Sequence, residues 1–140
     1  MIVIDHLTKI YKLNKKQQKE LKTKDTIKKA VDDLSLEIPD GEIFGLLGTN
    51  GAGKTTTLRC MATLLKPTEG SILVDGFDVK QDAYEVRRRI GFLTNEIKMD
   101  PQFTPDYLFS FFGQLRGMTG EAIDKRKQEL FEYFGISEFK

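Results

Sequence analysis

Eight consecutive residues, Gly48-Thr49-Asn50-Gly51-Ala52-Gly53-Lys54-Thr55, follow the pattern G-x-x-x-x-G-K-[ST]. Each residue type serves a separate need in holding a triphosphate, a dense anion that requires many donors at close range. The glycines let the main chain fold back and aim its N–H groups inward, with no side chain to block the approach. A helix beginning near Lys54 adds unpaired N–H groups and a partial positive charge. Lys54 brings a full charge on a flexible stem and is the candidate catalytic residue, reaching the β- and γ-phosphates. The Thr55 hydroxyl is the candidate Mg²⁺ ligand, and Thr56 adds a further hydroxyl for phosphate. A phosphate loop by itself covers kinases, GTPases and motor proteins, and does not choose among them.

The loop needs a strand before it and a helix after it, and the pattern supplies both expectations. Glu42-Ile43-Phe44-Gly45-Leu46-Leu47 is a nearly continuous apolar run, as expected of a parallel strand covered on both faces. Lys54 to Leu65 reads as a helix, with Pro67 as its stop. Further strands are expected at Ile2–Tyr11, at Leu34–Ile38 by alternation, at Ser71–Gly76 with its turn, and at Ile90–Thr94. Asp75 closes an apolar strand but is followed by Gly76, so it reads as a turn residue and not a catalytic acid. Asp82 and Glu85 have capping-box spacing for a short helix through Arg89.

Two segments stand apart. Lys12 to Lys29 is lysine-rich, and its core, Lys15-Lys16-Gln17-Gln18-Lys19-Glu20, is too polar to pack. It reads as a solvated loop between strands, and the sharper alternative is a basic finger that touches lipid headgroups or a partner. Beyond Asn95 the pattern turns helical. Thr104 with Pro105 opens one helix that Gly117 ends, and Thr119 opens another that Gly135 ends. The aromatics Tyr107, Phe109, Phe111 and Phe112 either fill that helical core or form a docking surface.

The composition suits a folded domain and excludes several classes. The chain has 140 residues, 39% hydrophobic, with a net charge of +1, which argues neither for nor against a polyanionic partner. A single cysteine, Cys60, rules out an intrachain disulfide and favours a reducing compartment. No apolar run approaches the roughly 20 residues that span a bilayer. The sole histidine, His6, is expected to be solvated and not catalytic.

Beyond the loop, a family pattern runs through the chain in order. It includes Leu7-Thr8-Lys9-Ile10-Tyr11, Ala30-Val31-Asp32-Asp33-Leu34-Ser35-Leu36-Glu37-Ile38 and Gly41 to Gly48. Thr55-Thr56-Thr57-Leu58-Arg59, Leu65-Lys66-Pro67-Thr68-Glu69-Gly70-Ser71-Ile72 and Ile90-Gly91-Phe92-Leu93 continue it. These segments resemble the opening of an ABC transporter ATPase subunit, nearest to bacterial exporter subunits of the sodium and drug type. The resemblance implies an α/β fold: a P-loop NTPase core with an antiparallel β subdomain over 1–95 and the beginning of a helical subdomain over 96–140. It implies ATP and Mg²⁺ as ligands, held by Tyr11 against adenine and by Gly48, Thr49, Asn50, Gly51, Ala52, Gly53, Lys54, Thr55 and Thr56. Asn95 stands where the family usually has a Mg²⁺-contacting glutamine, and Glu96 beside it is an alternative.

The implied partners are a transmembrane permease subunit and a second ATPase subunit, with no nucleic acid. The implied location is the cytoplasmic face of the cell membrane, reached through the permease. Residues 1–140 contain no L-S-G-G-Q-like run and no apolar strand ending in Asp-Glu, the family's signature and its attacking-water base. The chain is therefore expected to be a partial ATPase domain that binds Mg-ATP and hydrolyses it poorly alone. The alternative function is a soluble ABC-type regulator acting on ribosomes or DNA. A kinase or GTPase reading lacks a base-reading motif or substrate lid.

Overall fold

The computed structural model describes residues 1–94 and 100–138. It contains β1 (Ile2–Lys12), α1 (Lys15–Glu20), β2 (Ile27–Ile38), α2 (Lys54–Met61), β3 (Glu69–Val74), β4 (Phe77–Asp78), α3 (Ala83–Arg89), α4 (Pro105–Leu115) and α5 (Gly120–Tyr133). The chain divides into two compact units, residues 1–92 and 93–140.

In the first unit, one four-stranded sheet runs in the order β2-β1-β3-β4, with every pairing antiparallel. Apolar side chains alternate along β3, and a register shift between Ile4 and Leu7 lets both of these β1 residues join one face, so the core holds Ile4, Leu7, Ile72 and Val74. Cys60 of α2 and Val86 of α3 close that core, each with no exposed surface. Asp75 and Gly76 take φ of 49° and 82°, a tight hairpin turn between β3 and β4. Asp75 is thus a turn residue, as its sequence context indicates.

The β1–β2 pairing is broken by register shifts between Ile4 and Leu7 and between Leu7 and Lys9. Two left-handed residues, His6 (φ 49°) and Asp33 (φ 53°), face each other there. Side chains repair the interrupted ladder. The His6 amide donates to Ser35 Oγ (2.9 Å) and the Asp33 amide to Thr8 Oγ1 (3.1 Å). His6 Nδ1 lies 2.6 Å from Asp33 Oδ1, and this contact, reinforced by the charges of Asp33 and Asp5, raises the imidazole pKa.

Several expectations fail. The Lys12–Lys29 segment is not a plain loop. Asn14 and Gln17 form a reciprocal capping box that starts α1, and β2 begins as early as Ile27. The run from Glu42 to Leu47 forms no strand; no described segment pairs with it, and Ile43 and Leu47 are fully exposed. Ile90–Thr94 likewise forms no strand, and Leu93 is exposed. Helix α2 stops at Met61, short of Leu65. Thr63 turns left-handed (φ 62°), and the Leu64 amide reaches back to the Arg59 carbonyl (2.9 Å), closing the helix before Pro67 is reached. At α3 the capping box does not form. The Asp82 carboxylate accepts instead from the Asp78 amide (3.1 Å), and Glu85 pairs with Arg89 (2.6 Å). That pairing holds the Glu85 carboxyl below its usual range, and the Arg89 guanidinium lies 3.9 Å from the Phe77 ring centre.

The second unit is a helix pair. Thr104 accepts from the Tyr107 amide with Pro105 at the first position of α4, and Thr119 accepts from the Ala122 amide to start α5. The helices meet at Gly113, where a methyl group would sit 2.7 Å from Ile123 Cγ1. Lys127 bridges Asp106 (2.7 Å) and Asp124 (3.2 Å), which raises its pKa. Phe109 packs edge-on against Phe131, whereas Phe103, Tyr107 and Phe111 stack along the exposed side of the pair. No helix among the described residues is long and apolar enough to cross a membrane.

Candidate phosphate-binding site

The glycine loop is held in place from its helical end. Gly53 is the N-cap of α2 at φ 88°, a conformation that side-chain-bearing residues rarely adopt. A Cβ there would lie 2.4 Å from the Ala30 carbonyl oxygen and 3.1 Å from Val31 Cγ2. The loop therefore presses directly onto β2. Behind it, Thr57 and Cys60 are buried, and the Thr57 amide bonds the Gly53 carbonyl (2.8 Å), so the first turn of α2 is fixed on the sheet.

The arrangement leaves the α2 N-terminus without a side-chain cap. Its first-turn amides and the positive end of the helix dipole face outward, a combination suited to an anion. The Lys54 ammonium curls over the loop and donates to the carbonyls of Gly48 (2.6 Å) and Thr49 (2.7 Å).

These features border one cleft of ≈ 300 Å³ lined by Tyr11, Lys28, Ala30, Asn50, Gly51, Ala52, Gly53, Lys54, Thr55 and Thr56. Of the residues singled out in the sequence, Tyr11 and all of Asn50 to Thr56 line it. Gly48 and Thr49 join through their carbonyl contacts with Lys54. Asn95, and Glu96 beside it, lie outside the described residues. The Lys9 ammonium is 5.3 Å from the Tyr11 ring centre and is anchored on the Lys66 carbonyl (2.8 Å).

Sequence reasoning missed Lys28 and Ala30. Lys28 is the register partner of Tyr11 across β1–β2, so the strand pairing that presents the ring also presents a second ammonium. The interruption at residues 13–26 hid that pairing, and the register shift between Leu34 and Val31 breaks the alternation that would otherwise have led back to Lys28.

The donor set fits a magnesium-bound phosphate chain. Mg²⁺ keeps most of its shell as water and phosphate oxygen and takes few protein ligands, so the loop need contribute only one hydroxyl among them. Thr55 offers that hydroxyl. No group of three or more His, Cys, Asp or Glu side chains among the described residues is placed to hold a metal by itself.

Comparison with known proteins places this geometry in context. Residues 31–140 match the family described as ABC transporter. The ABC transporter ATP-binding protein NatA of Bacillus subtilis (strain 168) is 43% identical over 117 residues, covering 83% of this chain and 48% of that protein. The daunorubicin resistance ATP-binding protein DrrA3 of Streptomyces coeruleorubidus is 40% identical over 111 residues, covering 79% of this chain and 35% of that protein. Among solved structures, a dimeric ATP-binding cassette in a post-hydrolysis state, bound to ADP and Pi, superposes with a TM-score of 0.74 at 28% identity. That match covers 94% of this chain and 56% of the cassette. The chain spans half or less of the length of these two curated relatives.

Proposed function

Because this chain belongs to the ABC transporter family, we propose that it is the ATP-binding part of an exporter's ATPase subunit, gripping Mg-ATP at Gly48–Thr56. One observation carries the reading: Tyr11 and the Lys54 loop, 43 residues apart in sequence, line the same cleft over an uncapped helix terminus. In this reading the loop amides and Lys54 hold the β- and γ-phosphates, and Thr55 meets the magnesium. Tyr11 stacks on adenine, a contact worth about 1–3 kcal/mol by analogy with base stacking on aromatic side chains. Lys54 acts on the reaction by neutralising charge that builds on the transferred phosphoryl oxygens. Asn95, or Glu96 beside it, is proposed from sequence as a further magnesium contact.

In the whole protein, ATP binding and hydrolysis drive export through a transmembrane permease subunit, with the ATPase on the cytoplasmic face and no nucleic acid involved. A second ATPase subunit completes the catalytic site; the dimeric state of the solved cassette supports this. The resistance function in the name of the Streptomyces relative favours an export substrate over an imported one. Residues 1–140, which hold neither the signature run nor the Asp-Glu strand, bind nucleotide but turn it over poorly by themselves.

Titration calorimetry of the 140-residue chain with Mg-ATP tests the reading. Saturable one-site uptake is expected, weakened about a hundredfold by Lys54→Ala through loss of charge-assisted hydrogen bonds. Uptake that ignores this substitution, in a variant whose circular dichroism is unchanged, overturns the proposal.

A further inference from the structure

The chain's positive charge is concentrated in one place. Residues 12–29 hold eight lysines against Glu20 and Asp25, whereas the whole chain carries only +1, so the remainder is net negative. The segment is also ordered. The Asn14–Gln17 box caps α1, Gln18 Nε2 donates to the Asp25 carbonyl (2.8 Å), and the Thr23 amide returns to the Gln18 carbonyl (3.0 Å). The Leu13 amide closes the base on the Thr26 carbonyl (2.8 Å). On this scaffold Lys15, Gln18, Lys19, Lys22, Thr23 and Lys24 line one broad, open depression of ≈ 520 Å³. None of its four lysines has an ion-pair partner among the described residues. Like charges held together without counter-ions repel, and an anionic surface that supplies the opposite charge relieves that cost.

We propose that residues 12–29 form a basic finger that docks on an anionic lipid surface. The lysines are spread over a helix, a turn and a strand end; they do not converge on a point, which fits an array of headgroups better than one free phosphate. Single-stranded nucleic acid is disfavoured because residues 12–29 contain no aromatic side chain on which a base would stack; a duplex is tested by competition below. Leu21 and Ile27, both half-exposed, give the finger an apolar component suited to the headgroup boundary. The net-negative remainder is repelled by the same surface, so the finger also sets the orientation of approach. The finger lies ahead of residues 31–140, which match the family, and it does not depend on the nucleotide reading.

Sedimentation of the 140-residue chain with vesicles is the test. Binding is expected to mixed phosphatidylcholine–phosphatidylserine vesicles, not to pure phosphatidylcholine, and to fall steeply with added salt. The combined variant Lys15→Gln, Lys19→Gln, Lys22→Gln, Lys24→Gln should lose about a thousandfold in affinity while keeping the parent's circular dichroism and melting temperature. Neutralising Lys66 and Lys125, outside the finger, should change affinity by no more than about tenfold. Equal binding to both vesicle types, retention by the four-lysine variant, or displacement of the chain from vesicles by duplex RNA at equal phosphate concentration would each overturn the proposal.

Discussion

The phosphate loop is held very differently at its two ends. On the helical side, Gly53 presses against the Ala30 carbonyl, and α2 buries Thr57 and Cys60 against an antiparallel sheet. On the other side, Glu42 to Leu47 is as apolar as a core strand yet has no hydrogen-bonded neighbour among the described residues, and its Ile43 and Leu47 lie in the open. The contrast shows where the grip gets its geometry in these residues. Among the described residues it comes from the sheet, through the Gly53 contact with β2 and the burial of Thr57 and Cys60, and not from a paired strand in front of the loop.

The sharpest way to break this contrast is to fill the contact. Gly53→Ala puts a methyl group 2.4 Å from a backbone oxygen at φ 88°, and should cost about 2–4 kcal/mol in urea unfolding and weaken Mg-ATP uptake as well. Gly51, at the same φ but with open space around it, is the control. Gly51→Ala should cost only about 1 kcal/mol, from backbone strain alone. If the two substitutions cost the same, the sheet contact is not what positions the loop.

A gentler perturbation works from the sheet itself. Asp33 and, more weakly, Asp5 favour the protonated form of His6 and raise its pKa. Its folded pKa lies above the unfolded 6.5, so this contribution is fully present below about pH 6.5 and is lost as pH rises through the raised folded value. The melting temperature should therefore fall between mildly acidic and mildly alkaline buffer, and His6→Gln should flatten that dependence. An unchanged slope in the variant would assign the titration elsewhere. The smallest effect belongs to the unpartnered side. Leu47→Ser should change the stability of the 140-residue chain by less than about 0.5 kcal/mol, since the side chain has no packing to lose. A larger loss would mean that the run is covered in solution.

The same contrast explains what could be read in advance. Helix starts at Thr104 and Thr119 were legible because a cap needs only a hydroxyl and an amide three residues away. The Asp75–Gly76 turn was legible because Asp and Gly accept the positive φ that a tight hairpin turn needs. Asp82 shows the limit of local rules, because two amides competed for one carboxylate and the Asp78 turn won. Residues 42–47 show another limit. A continuous apolar run states that it wants cover on both faces, but not which strands will supply it. At the site, the motif identified the loop residues, whereas Lys28 depended on a register set across an insertion and its bulges.

Cys60 carries one more consequence. The lone thiol sits in the core on α2, the helix that begins at Lys54, with no exposed surface, and burial pushes its pKa up. A thiol reagent can reach it only when α2 lifts away from the sheet, so the rate of alkylation in the folded protein becomes a clock for that breathing motion. The molecule thus carries its own reporter on how often the helix behind the phosphate loop comes loose, readable by mass spectrometry without a label being engineered in.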